Sequence, residues 1–187
     1  MKIGVFGGSF DPPHMGHLVV AEQVLDQLGF DQVLFVVANH PWQKGAITPA
    51  EQRMQMTTLA LGGSERMSAS AVELQMGGPS YTYETLQHLS KPGVELFPIV
   101  GADAAAGLET WHNAAELAAT YTFVVVNRPG ETARPAGWNY VDVGIPPLDI
   151  SSSQLRGMID LGRSIRYLTP DPVIHLIKSW GLYRRAM

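Results

Sequence analysis

The sequence predicts an α/β protein with a doubly wound, mostly parallel sheet, helices on both faces and a small helical C-terminal part. Three observations predict it. Short apolar runs, such as residues 33–38, alternate along the chain with segments of helical spacing. These runs are continuously apolar, as in strands covered on both faces. The first run passes into its helix through Gly7-Gly8, which reads as a βαβ unit with a right-handed crossover.

The opening strand carries Ile3, Val5 and Phe6, and the polar segment after it ends in His14 and His17. Leu18, Ala21, Val24, Leu25 and Leu28 recur at helical spacing, with Gly29 as C-cap. Residues 32–38 form the second strand, and a polar loop at 39–47 carries His40, Trp42, Gln43 and Lys44. Thr48 as N-cap, Pro49 at N1 and Glu51 at N3 form a capping box for a helix that stops at Gly62-Gly63. Residues 68–75 alternate loosely and read as a strand. A second glycine-rich loop leads into a short helix at 82–89. Residues 96–100 form a strand ending at Gly101-Ala102-Asp103, although Pro98 removes a ladder donor there. A helix at 113–119, a strand at 122–127 and a further strand at 139–143 follow. Ser151-Ser152-Ser153 cap a helix at 154–161, and Thr169-Pro170 open the last helix, closed by Gly181. The chain reads as one domain, residues 1–187, with a core at 1–150 and a helical segment at 151–187.

The 187 residues are 45% apolar and 16% charged, ordinary for a globular protein and against general disorder. No cysteine is present, which excludes disulfides, thiolate zinc sites and cysteine nucleophiles and points to a cytoplasmic home. No apolar run approaches the ~20 residues that span a bilayer. A net charge of −4 argues against broad attraction to nucleic acid. From Ser151 onward, five arginines and one lysine face only Asp160 and Asp171, so this part is locally basic. A homo-oligomer stays open.

A strand that hands over to a helix through glycines presents free N–H groups and the positive end of the helix dipole, which suits a nucleotide phosphate. The P-loop pattern is absent, and so is Gly-x-Gly-x-x-Gly at the first turn, which disfavours Walker-type ATPases and ordinary dinucleotide-dependent dehydrogenases. His14 and His17 have three readings: a metal pair, lacking a third ligand nearby except Asp11; caps of the turn; or imidazole donors to a phosphoryl group. The third is preferred. Lys44 otherwise reads as a surface lysine, and Trp111 as a core aromatic.

The segment from Gly7 to His17, Gly-Gly-Ser-Phe-Asp-Pro-Pro-His-Met-Gly-His, resembles the His-x-Gly-His signature of the nucleotidyltransferase superfamily. Further segments resemble the bacterial nicotinate-nucleotide adenylyltransferases within it: Pro41-Trp42-Gln43-Lys44, Gly78-Pro79-Ser80-Tyr81-Thr82, Gly101-Ala102-Asp103 with Thr110-Trp111-His112, and Asn127-Arg128-Pro129-Gly130. The residues from Ile150 to Arg156 and from Ser164 to Pro170 match as well, so the resemblance covers nearly the whole chain. It implies a Rossmann-like fold and transfer of AMP from ATP to nicotinate mononucleotide, without a covalent intermediate. His14, His17, Lys44 and Arg156 would be catalytic. ATP would meet Gly7, Gly8, Ser9, Phe10, Gly101, Asp103, Asn127, Arg128, Ile150, Ser151 and Ser152 as well as His14, His17 and Arg156. The mononucleotide would meet Ser9, Lys44, Thr82, Tyr83, Trp111 and His112. Mg²⁺ would be held mainly by the ATP phosphates, with no metal ligand from the protein. Nicotinamide mononucleotide, phosphopantetheine as acceptor, and a non-catalytic nucleotide-binding regulator are the alternatives.

Overall fold

Lys2–Gly8 (β1) and Gln32–Val37 (β2) are parallel neighbours connected through Met15–Leu28 (α1), as the βαβ pattern predicts. The structure is a computed structural model describing residues 1–40, 48–127 and 134–184. Ala50–Ala60 (α2) leads to Met67–Ser70 (β3), followed by Val72–Met76 (α3) and Thr82–Leu89 (α4). Glu95–Gly101 (β4), Ala102–Ala105 (α5), a 3-10 turn at Leu108–Thr110, Ala114–Thr120 (α6), Thr122–Asn127 (β5) and Asn139–Gly144 (β6) complete the sheet and its cover. Ser152–Asp160 (α7) and Asp171–Trp180 (α8) form the helical end. All five strand pairings are parallel, in the order β3-β2-β1-β4-β5-β6.

Burial on both sheet faces explains the unbroken apolar runs. Along β5, Val124 and Val126 join Ala21, Val24 and Leu25 of α1 on one face, while Phe123 and Val125 join Val72, Leu86, Ala105 and Leu117 on the other. A third cluster joins Met56 of α2 to Leu155 of α7 and Val173, Ile174 and Ile177 of α8, fastening the helical end to the sheet's α2 side.

Three local expectations are corrected. Residues 68–75 are not one strand: β3 ends at Ser70 and α3 follows. The sequence Glu-Leu-Gln-Met consists of good helix formers, and Val72 finds its burial as a helical residue. Thr48 does not cap α2. The N-cap is Pro49, without a side-chain cap, because the Thr48 hydroxyl donates to Tyr183 Oη at 3.1 Å. Likewise α8 starts after Pro170, and the Thr169 hydroxyl donates to the Pro13 carbonyl at 2.7 Å. Pro98 is accommodated: it pairs with Val5 of β1, while the β4–β5 register begins one residue later at Ile99.

Candidate active site

The chain builds outward from β1 through β2 to β3, then returns to the other side of β1 to lay down β4, β5 and β6. The reversal between β1 and β4 opens a crevice outside the carboxyl ends of those strands, the place where doubly wound sheets bind ligands. Gly7 and Gly8 end β1, Gly101 ends β4 and Asp103 lies in the first turn of α5. The backbone of Asn127 ends β5. The side chain of Asn127, together with Lys44 and Arg128, lies outside the described residues.

His14 is the N-cap of α1 and His17 its third residue. Their rings stack with centroids 3.7 Å apart and an interplanar angle of 27°. Gly16 permits this, since a Cβ there would come 3.0 Å from His14 Nδ1. The His14 backbone N–H donates to His17 Nδ1 at 3.1 Å, so the imidazole serves where a glutamate would in a capping box. A neutral His17 ring therefore carries its proton on Nε2. Phe10 meets this ring edge-on at 5.0 Å. Burial, and secondarily the nearby His14, push the His17 pKa well below the ordinary 6.5. Capping and phosphate donation are thus compatible in one residue: Nδ1 closes the turn and Nε2–H is left to donate. Phe10 itself adopts φ 47° and is buried, and a Cβ at Gly8 would come 2.9 Å from its ring.

Distant segments hold the turn between β1 and α1. Arg53, 1% exposed, donates from Nε to the Thr48 carbonyl (2.9 Å), from Nη1 to the Ser9 carbonyl (2.9 Å) and from Nη2 to the Asn39 carbonyl (3.2 Å). The helical end grips the same turn. Arg156 Nη1 donates to the Asp11 carbonyl at 2.7 Å, and Ser152 Oγ to the Pro12 carbonyl at 2.8 Å. Thr169 takes the next carbonyl, that of Pro13. The Leu168 carbonyl in turn accepts from the Met15 N–H at 2.9 Å. Ser151 caps α7, accepting from the Gln154 N–H at 3.2 Å. Sequence reasoning missed Arg53 and Thr169 as site-building residues. The available signal for Arg53 was its place on the face shared with Met56 and Thr57, where an arginine is out of character.

On the other face of the sheet, Thr82 and Tyr83 open α4, so their backbone N–H groups belong to the first turn, which has no intrahelical acceptor. Glu84 in that turn pairs with His112 Nε2 at 3.0 Å, and Tyr81 stacks on the His112 ring at 4.5 Å. Trp111 packs edge-on against Phe123 at 6.2 Å, and its Nε1 is buried without a hydrogen-bond partner among the described residues. The aromatic thus joins the core with one edge, as the simpler expectation had it, and leaves a polar atom at the boundary. Asn39 links the two halves: its N–H donates to Ser80 Oγ at 2.8 Å and its side chain to the Gly78 carbonyl at 2.9 Å, while Arg53 holds its own carbonyl. Among the described residues no three histidine, aspartate or glutamate side chains gather as a metal site, and no helix is long and apolar enough to cross a membrane.

The chain is similar to known proteins over nearly its whole length. The family model described as "Cytidylyltransferase-like" matches residues 5–158. A protein of Leifsonia xyli named "Probable nicotinate-nucleotide adenylyltransferase" is 43% identical over 188 residues, covering 98% of this chain and 94% of its own length. One of the same name from Thermus thermophilus is 44% identical over 186 residues, covering 98% and 100%. Among solved structures, Plasmodium falciparum nicotinic acid mononucleotide adenylyltransferase complexed with NaAD shares the fold with a TM-score of 0.81 at 21% identity, covering 97% of each chain. The histidine turn at the switch point and the full-length likeness agree: the chain belongs to the cytidylyltransferase-like family and, within it, to the bacterial nicotinate-nucleotide adenylyltransferases.

Proposed function

We propose that the protein transfers AMP from ATP to nicotinate mononucleotide, giving nicotinate adenine dinucleotide and pyrophosphate, a step of NAD synthesis. The observation that carries the reading is the stacked His14–His17 pair at the start of α1, beside the β1–β4 switch point. An oxygen of the mononucleotide 5′-phosphate attacks the α-phosphorus of ATP. The bridging oxygen to the β-phosphorus leaves with the bonding pair as pyrophosphate. Such chemistry asks the protein for alignment and charge neutralisation.

His17 Nε2–H, His14 and the Gly16 N–H in the first turn of α1 supply donors to the phosphates in this reading, since the Met15 and His17 N–H groups already donate to the Leu168 and His14 carbonyls, with Lys44 and Arg156 as cations. The Ser152 hydroxyl is already donating to Pro12, which leaves backbone N–H groups and the Ser151 hydroxyl, which accepts from Gln154 without using its own proton, as the phosphate donors at the start of α7. Gly7, Gly8, Ser9, Phe10, Gly101, Asp103, Asn127, Arg128 and Ile150 complete the adenylate side. The helical end, residues 151–187, completes the ATP pocket of a single domain through its grip on residues 11–13. Imidazoles and helix-start N–H groups suit phosphate oxygens rather than a cation. Mg²⁺, carried on the ATP phosphates, would add charge neutralisation when bound. Trp111 stacks on the pyridine ring, and the backbone N–H groups of Thr82, Tyr83 and His112 take the carboxylate. Backbone N–H donors there favour an acid, because the NH₂ of an amide would face a donor and leave it unpaired. The cytoplasm is the fitting compartment, and small molecules rather than nucleic acid the fitting partners.

Pyrophosphate release with ATP, Mg²⁺ and each acceptor tests the reading. Nicotinate mononucleotide is expected to be turned over well ahead of nicotinamide mononucleotide and phosphopantetheine, whereas no turnover with the nicotinate compound would sink it.

A further inference from the structure

We propose that Tyr183 is a positioning residue for adenylyl transfer, holding the histidine turn in register through Asp11. The inference rests on the function proposed above. Tyr183 lies just beyond α8 with φ 63°, a left-handed conformation that a bulky side chain adopts only when its contacts demand it. Its hydroxyl donates to Asp11 Oδ1 at 2.6 Å and accepts from Thr48 Oγ1 at 3.1 Å. Asp11 is 1% exposed, and its second carboxylate oxygen accepts from the Thr48 N–H at 3.4 Å. Burial raises the Tyr183 pKa far above the usual phenol range, and the bond to Asp11 raises it further, so the hydroxyl stays a neutral donor throughout the working pH range.

Asp11 is where several restraints meet. Its carbonyl accepts from Arg156, the next two carbonyls accept from Ser152 and Thr169, and His14 follows three residues on. Ile177, Ile174 and Val173 fasten α8 to Met56 of α2, and Tyr183, in the turn after α8, packs against the same cluster and reaches Asp11 from there. A small shift of Asp11 therefore displaces the donors of His14 and His17. Donors aimed at developing charge suffer most from sub-ångström displacement, so the loss belongs in kcat. The α4 start and Trp111 lie on the other face, reached from Tyr183 through Thr48, Arg53 and Asn39, so the mononucleotide KM moves less than kcat.

Steady-state kinetics of Tyr183→Phe test this, with ATP, Mg²⁺ and nicotinate mononucleotide. The expected result is a fall of about tenfold in kcat, with the KM for the mononucleotide within about twofold and a Tm lower by only a few degrees. In a His17→Ala background the Tyr183→Phe effect on kcat shrinks below about twofold, because the hydroxyl acts through that turn. A wild-type kcat in Tyr183→Phe overturns the inference, and so does an equal loss in both backgrounds, which marks a merely structural residue. An inactive wild-type protein overturns the adenylyl-transfer reading and this inference with it, whereas an active wild type with an equally active Tyr183→Phe overturns only the inference.

Discussion

Burial favours the neutral form of His17, in which Nδ1 accepts from the His14 N–H and Nε2 carries the proton. Two imidazoles with centroids 3.7 Å apart are poorly placed to carry charge together, and Phe10 removes water from the ring's edge. Replacing His17 with alanine is expected to lower kcat by ~10²-fold or more, the usual cost of one preorganised donor; a rate within twofold of wild type would remove it from the mechanism. The same burial makes stability depend on pH. The folded pKa lies below the unfolded 6.5, so the unfolded chain binds more protons between the two values. Stability from this group is complete above about 6.5 and is lost as pH falls toward the folded value. The acid limb of Tm against pH should therefore be shallower in His17→Ala. The His-x-Gly-His spacing located this pair in the sequence, but neither the stacking nor the tautomer was legible, because both depend on the His14 N–H and on Phe10 folding over the ring. Arg53 was less legible still: its three acceptors lie on three loops that only the folded sheet brings together.

At the scale of elements, most helices and strands follow from apolar spacing and from glycine stops such as Gly29, which adopts φ 59° at the end of α1. Two of the three corrected expectations share a cause, while residues 68–75 differ because a short helix follows the strand directly. At Thr48 and Thr169 local capping chemistry competed with a long-range partner, and the long-range partner won. No periodicity records a bond to a residue more than a hundred positions away. The Thr169 bond is worth testing, because it secures the Pro13 carbonyl beside the site. Thr169→Val keeps the shape and removes the donor, leaving the Pro13 carbonyl without it in a buried place. The expected cost is about 1–3 kcal/mol, read as a Tm lower by roughly 3–10 °C. An unchanged Tm would mean that the helical end does not depend on this bond.

For the molecule as a whole, alternating elements and doubly apolar strands sufficed to predict the parallel sheet, but strand order is a three-dimensional fact. The order β3-β2-β1-β4-β5-β6 puts the first turn and the end of β4 side by side, and so turns separate sequence segments into one crevice. The histidine turn lies against one face, the α4 start and Trp111 belong to the other, and Arg53 and Asn39 tie them together. The central claim is that this crevice passes AMP directly from one nucleotide to another. Following a radiolabel in the α-phosphate of ATP, with Mg²⁺ and nicotinate mononucleotide, tests it most directly. The label should appear in nicotinate adenine dinucleotide, with one pyrophosphate per dinucleotide and none of the label on the protein. Labelled protein, or ATP consumed without a labelled dinucleotide, would contradict the account.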